Sequence, residues 1–167
     1  MKDTLNQQNL NKNNSISFLT KFIATGLYSG YSPVAPGTAG SVVGILFLLI
    51  PGFGTPIPLA TAVIIGFFIG TYTSNRMEKQ LGEDPPPVVI DEIVGMWISL
   101  LFLPKGLFVV FTAFIFFRIF DIVKPQPARY MEKLKHGWGI MLDDVVAGIY
   151  ANLTTQLIIW FFPALMR

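Results

Sequence analysis

The chain has no cysteine and only one histidine. The first absence excludes disulfides, thiolate metal sites and any group transfer that runs through a cysteine nucleophile. The histidine, His136, lies in a loop beside Lys133 and Lys135, a setting that suits an interface residue better than a general acid. Charge is scarce too. Charged residues make up 13% of the chain against 52% hydrophobic, where soluble domains carry about 25% charged. Long stretches of Val, Ile, Leu and Phe carry no charge at all, so water is not the main solvent of this chain.

The formal net charge is +2, and the basic residues do not form a stripe with interleaved polar readers. Nucleic acid is therefore not an expected partner, whereas an anionic membrane surface is. Residues 1–14 are polar and rich in Asn and Gln, without an apolar run of signal-peptide kind. They are expected to form a disordered tail ahead of a single membrane-embedded domain over residues 15–167.

Along that domain, Ile16, Leu19, Phe22, Ile23 and Leu27 recur at helical spacing, with Ser17, Thr20 and Lys21 on another face. This predicts a short amphipathic helix lying in the interface. The stretch from Ser32 to Gly40 holds two further prolines and two glycines and is expected to be a shaped loop. Apolar runs follow at Ser41 to Ile50, Ile57 to about Thr73, Val88 to Leu103, Leu107 to Phe120 and Ile140 to about Phe162. The expected fold is all-α, a polytopic helical bundle with about four to five membrane-embedded helices. At about 1.5 Å per residue, a hydrocarbon core of about 30 Å needs about 20 residues, so the first and third runs are short for a full span. Ser74 to Asp84 reads as a polar connector.

Tight turns at Pro51 to Pro56 and at Pro104 to Gly106 join the first run to the second and the third to the fourth. Each pair should return to its starting side. Most basic residues, including Arg76, Lys79, Lys124, Arg129, Lys133 and Lys135, then share that side, which the positive-inside rule makes cytoplasmic.

The same topology gathers acids. Asp91 and Glu92 begin the third run, Asp121 ends the fourth, and Asp143 and Asp144 begin the fifth. Five carboxylates at one membrane depth repel one another and lose solvation, so they call for cationic neutralisation. Arg118 and Lys124, each three residues from Asp121, are candidates and would also bind phosphate. An all-oxygen carboxylate set is hard and points to magnesium or manganese. Adjacent helical residues point about 100° apart, so within each acid pair one member can ligate while the other caps or orients. The Ser32 to Gly40 loop adds glycine-exposed amides and the hydroxyls of Ser32 and Thr38 before a helix start, which suits a phosphate.

Four segments resemble the phosphatidylglycerophosphatase A family: Ser32-Pro-Val-Ala-Pro-Gly-Thr-Ala-Gly40, Val89-Ile-Asp-Glu-Ile-Val-Gly-Met-Trp97, Phe117-Arg-Ile-Phe-Asp-Ile-Val-Lys-Pro125 and Gly137-Trp-Gly-Ile-Met-Leu-Asp-Asp-Val-Val-Ala-Gly148. They stand in the family's order across about residues 26 to 151. The resemblance implies a magnesium-dependent, multi-pass phosphatase of the bacterial inner membrane with its active site on the cytoplasmic side. Its expected reaction converts phosphatidylglycerophosphate to phosphatidylglycerol and inorganic phosphate, the last step of phosphatidylglycerol synthesis. Asp91, Glu92, Asp121, Asp143 and Asp144 are then the candidate catalytic and metal-binding residues, and Arg118, Lys124, Ser32 and Thr38 the candidate phosphate-binding ones. Membrane lipid is the expected partner, with no obligate protein partner. The alternative is an ion or solute transporter with a carboxylate-lined site. The D-x-D signature of haloacid dehalogenase phosphatases, the CDP-alcohol phosphotransferase pattern and the P-S-G-H motif of type 2 phosphatidic-acid phosphatases are all absent.

Overall fold

The structure is a computed structural model and describes residues 16–163, so the expected tail over residues 1–14 lies outside the described residues. All regular structure among the described residues is helical: α1 (Phe18–Ala24), α2 (Pro36–Leu46), α3 (Pro56–Leu81), α4 (Ile90–Leu100), α5 (Leu107–Val123), α6 (Ala128–Met131) and α7 (Trp138–Phe161), with short 3-10 turns at Ser29–Tyr31 and Phe47–Leu49.

Helix α4 is the axle of the fold. Its sequence is apolar on every side, and ten of its eleven residues, all but Glu92, are buried. Such a helix must be surrounded. Helices α2, α3, α5 and α7 all pack on it. The arms of the expected first hairpin, α2 and α3, are joined by a short turn but make no extensive contact with each other. They bind α4 instead, because its all-round apolar surface offers each of them more to bury than the other arm does. Trp97 fixes one of these contacts by donating Nε1–H to the carbonyl of Gly44 on α2 at 3.0 Å.

Two expected boundaries change. The Ser32 to Gly40 stretch is a loop only as far as Ala35, because Pro36 sits at the first position of α2, where its missing N–H costs nothing and its fixed φ suits a helix. The predicted polar connector is helical to Leu81, since Ser74 to Leu81 contains no helix breaker, and α3 stops only at Gly82, with φ +98°. The amphipathic segment is also shorter than expected. Gly26, Leu27 and Tyr28 take positive φ, so α1 ends at Ala24.

The outer surface is apolar. Leu107, Phe111, Ile115, Ile119 and Ile122 form an exposed stripe along α5, and Ile57, Ile64, Ile65, Phe68 and Ile69 do the same on α3. Among the described residues one helix, Pro56–Leu81, is long and apolar enough to cross a membrane; the 36–49 segment is apolar but shorter.

The contact between α4 and α7 is unusually close. A Cβ added to Gly148 would lie 2.6 Å from the carbonyl oxygen of Gly95, and one added to Gly95 would lie 2.5 Å from the Phe117 ring. Small residues let helices approach to this distance, the usual device of packing in lipid. Near the far end of α4, the buried Asn152 donates from Nδ2 to the carbonyls of Ile98, Ser99 and Leu101 at 3.2, 3.2 and 2.8 Å. These carbonyls lie at the helix end, where backbone acceptors run short of partners, although that of Ile98 also accepts the Leu101 N–H at 3.1 Å.

Gly148→Ala tests the close crossing. Alanine is favoured over glycine in a helix interior by about 1 kcal/mol, whereas overpacking against a backbone carbonyl costs about 1–3 kcal/mol. The variant should therefore melt below wild type in detergent-based thermal unfolding, and a rise in midpoint would refute the contact.

Candidate active site

A cavity of about 550 Å³ opens where the two ends of the sequence's apolar hairpins return. Its walls come from the first turn of α2, the end of α3, the 83–88 loop, the start of α4, the end of α5, the turn after α6 and the start of α7. All five predicted carboxylates, Asp91, Glu92, Asp121, Asp143 and Asp144, line it.

Their surroundings divide them. Asp91 and Glu92 stand in the first turn of α4, which is held in place from behind: Val89 donates its N–H to the carbonyl of Ala24 at 2.9 Å, and Val88 to that of Pro85 at 2.9 Å. Asp144 faces them from α7. One carboxylate oxygen from each of Asp91, Glu92 and Asp144 lies within 4.8 Å of the other two. Three oxygens of this group, Asp91 Oδ1, Glu92 Oε2 and Asp144 Oδ2, are buried and lack a hydrogen-bond partner. A buried acceptor left unpaired costs about 1–3 kcal/mol, and more when charged, so three together fit a site completed by a hard cation.

The other two acids are already engaged. Asp121 accepts a bond from Arg118 Nη1 at 2.7 Å, one helical turn away. Asp143 accepts from Lys124 Nζ at 2.8 Å through Oδ2 and from the Asp144 backbone N–H at 3.0 Å through Oδ1. Within the Asp143 and Asp144 pair, one acid turns to a lysine and the other to the cluster, whereas Asp91 and Glu92 both face the cluster.

Lys124 also binds Glu132 at 2.8 Å. Partial burial pulls the Lys124 ammonium down, but its bonds to Asp143 and Glu132 outweigh that and hold it above the usual lysine range. Its backbone φ of +47° closes α5 and turns the chain at Pro125. Five carboxylates facing Arg118 and Lys124 leave a formal excess of three negative charges.

The predicted phosphate-binding residues fare unevenly. Lys124 lines the cavity, while Arg118 sits behind the carboxylates rather than on the cavity wall, with Nη1 3.5 Å from Ser41 Oγ. Ser32 and Thr38 are not on the wall, and Ser32 Oγ donates to the carbonyl of Val34 at 2.8 Å. Pro36 and Gly37 take their place, so the N-terminus of α2 opens onto the cavity. A Cβ on Gly37 would press on Glu92 Oε1 and lie 3.1 Å from Arg118 Nη1 and Nη2, so a larger residue there would have to displace these side-chain ends. His136 is exposed and is not a wall residue. Sequence reasoning missed Glu78, Glu83, Asp84, Glu132, Lys133 and Lys135 as wall residues. The signal for the basic ones was their density, three cations and a histidine between Arg129 and His136.

The carboxylate cluster predicts an unusual pair of stabilities. Without divalent cation, Asp144→Asn should be at least as stable as wild type in thermal unfolding, because it removes one repelling, desolvated charge. Added magnesium or manganese should raise the wild-type midpoint by linkage and leave the variant nearly unmoved. An equal response of both proteins would remove Asp144 from the cation site.

Comparison with known proteins bears on the chemistry. The family model for phosphatidylglycerophosphatase A matches residues 22–159. A Bacteroides thetaiotaomicron protein named "Putative phosphatidylinositol-3-phosphatase" is 43% identical over 152 residues, covering 86% of this chain and 96% of its own length. Proteins named phosphatidylglycerophosphatase A from Escherichia coli and Haemophilus influenzae are each 40% identical. They cover 76% and 77% of this chain, and 76% and 82% of their own lengths. No solved structure matches the chain.

Proposed function

The chain belongs to the phosphatidylglycerophosphatase A family, and from that premise we propose that it is a magnesium-dependent lipid phosphomonoesterase acting on phosphatidylglycerophosphate. The products are phosphatidylglycerol and inorganic phosphate, the last step of phosphatidylglycerol synthesis. The observation that carries this reading is the trio of buried, unpartnered oxygens on Asp91, Glu92 and Asp144. Family membership displaces the transporter alternative.

Asp91, Glu92 and Asp144 would hold the cation, which when bound supplies Lewis-acid polarisation of the phosphoryl group and an acidified water. Arg118 and Lys124 keep Asp121 and Asp143 oriented, so the cluster meets its substrate without rearranging. The amide of Gly37, in the first turn of α2, would meet the phosphoryl oxygens. Water adds to phosphorus as the ester P–O bond breaks in line with it. A cavity carboxylate accepts the water's proton, and the departing alkoxide takes one up to become the lipid alcohol. With no cysteine in the chain and His136 off the cavity wall, neither a thiolate nor an imidazole nucleophile is at hand.

Residues 15–167 form one domain in this reading, and the exposed apolar stripes on α3 and α5 face lipid acyl chains. Shorter helices such as α2 and α4 embed without each spanning the bilayer alone, giving four to five embedded helices. The cavity mouth, with Lys133 and Lys135 on its wall, then faces the cytoplasmic side of a bacterial inner membrane, where a headgroup enters while its acyl tails stay in the bilayer.

The name carried by the Bacteroides relative favours a second substrate reading, a phosphorylated inositol lipid, with the same bond broken in a different headgroup. Purified protein in detergent should release phosphate from phosphatidylglycerophosphate with magnesium and not with chelator. Asp144→Asn should lose at least about a hundredfold in rate. Faster release from phosphatidylinositol 3-phosphate would favour the second substrate. No release from either lipid by folded protein would sink the phosphatase reading.

A further inference from the structure

The cations that sequence reasoning assigned to phosphate are already committed: Arg118 to Asp121, and Lys124 to Asp143 and Glu132. Two other cations line the same cavity. Lys133 and Lys135 stand on its wall, are exposed, and have no ion pair among the described residues. Glu83 and Asp84, on the 83–88 loop, line the cavity as well. The cavity therefore has an acidic floor and, at Lys133 and Lys135, a basic lip.

The basic lip is held firmly in place. Lys124 grips Glu132, the residue before Lys133, at 2.8 Å. The backbone N–H groups of Lys133 and Leu134 bond to the carbonyls of Tyr130 and Met131 at 3.3 and 2.9 Å. On the far side, Gly137 N–H donates to Glu78 Oε2 on α3 at 2.9 Å. The first turn of α7 presses against the same segment, because a Cβ on Gly139 would lie 2.6 Å from the Glu132 carbonyl oxygen. Lys133 and Lys135 thus project from a turn anchored to α3, α5 and α7.

We propose that Lys133 and Lys135 form a second anion subsite, which holds the phosphodiester of the lipid headgroup while the carboxylate floor receives the terminal phosphomonoester. The inference rests on the lipid phosphatase reading and adds what selects the substrate. A glycerophospholipid bearing a terminal phosphate carries two anions separated by a polyol, whether glycerol or inositol. The floor, with its cation, takes one. The other needs positive charge at the rim, which Lys133 and Lys135 supply. Lys133 and Lys135 are positioning residues in this scheme, since they do not touch the reacting phosphorus.

The test measures binding, so it does not depend on turnover. The full chain in detergent with magnesium is titrated with two non-hydrolysable phosphonates: a deacylated headgroup carrying both the phosphodiester and the terminal phosphonate, and a glycerol phosphonate carrying the terminal group alone. Wild type should bind the two-anion probe more tightly. The double variant Lys133→Gln, Lys135→Gln should weaken that probe by roughly five- to thirtyfold, the effect of losing two exposed charge contacts, and leave the one-anion probe unchanged. Arg129→Gln, which removes a charge from the same segment but off the cavity wall, should change neither. Equal weakening of both probes, no weakening, no binding to wild type, or an equal loss in Arg129→Gln would each overturn the proposal, the last by assigning the effect to diffuse attraction toward anionic surfaces. A protein that binds as expected but hydrolyses neither lipid would instead count against the phosphatase reading alone.

Discussion

The structure depends on holding like charges together where water is scarce. Asp91, Glu92 and Asp144 bring unpartnered oxygens to one point, and nothing in their own chemistry favours that meeting. The rest of the fold supplies the force. Helix α4 is buried on every side, so its apolar residues fix it at the centre, and its first turn carries Asp91 and Glu92 wherever that burial places them. Helix α7 brings Asp144 to the same point through a crossing where Gly95 and Gly148 let the backbones touch. The free energy of apolar packing thus opposes the electrostatic cost of the site, and a bound cation would remove most of that cost.

Much of this was legible in the sequence, and for a physical reason. Apolar runs punctuated by proline turns fix which helix ends return together, and acids at those ends follow them. All five carboxylates do line one cavity. What the sequence could not reveal was their division of labour, which depends on rotation about each helix axis and on partners far along the chain. Asp143 turns to Lys124 and Asp144 to the cluster, whereas Asp91 and Glu92 act on the same side. The polar character of Ser74 to Leu81 does not by itself say whether the helix goes on through them. Polar residues continue a helix readily once it leaves the apolar layer, and only Gly82 ends this one. Likewise Pro36 does not break a helix but opens one, because it stands at the helical position that welcomes proline.

The relatives share a phosphomonoester in their names and differ in the alcohol attached to it. The architecture separates these two demands. The five candidate carboxylates sit on helices α4, α5 and α7, whose positions the core dictates. The outer part of the cavity is built from the 83–88 loop and the turn after α6, segments of which only Val88 joins the described hydrophobic core. Changes there can reshape the mouth of the cavity while leaving the carboxylates where they are.

The meeting of Gly95 and Gly148 carries this division further. Where side chains separate two helices, the gap between them is adjustable: a rotamer changes, a methyl is lost, and the spacing drifts. Here backbone meets backbone, with no intervening part to wear or exchange. The spacing across the carboxylate cluster is therefore set by a hard stop, and substitutions elsewhere in the bundle can accumulate without the gauge of the site shifting.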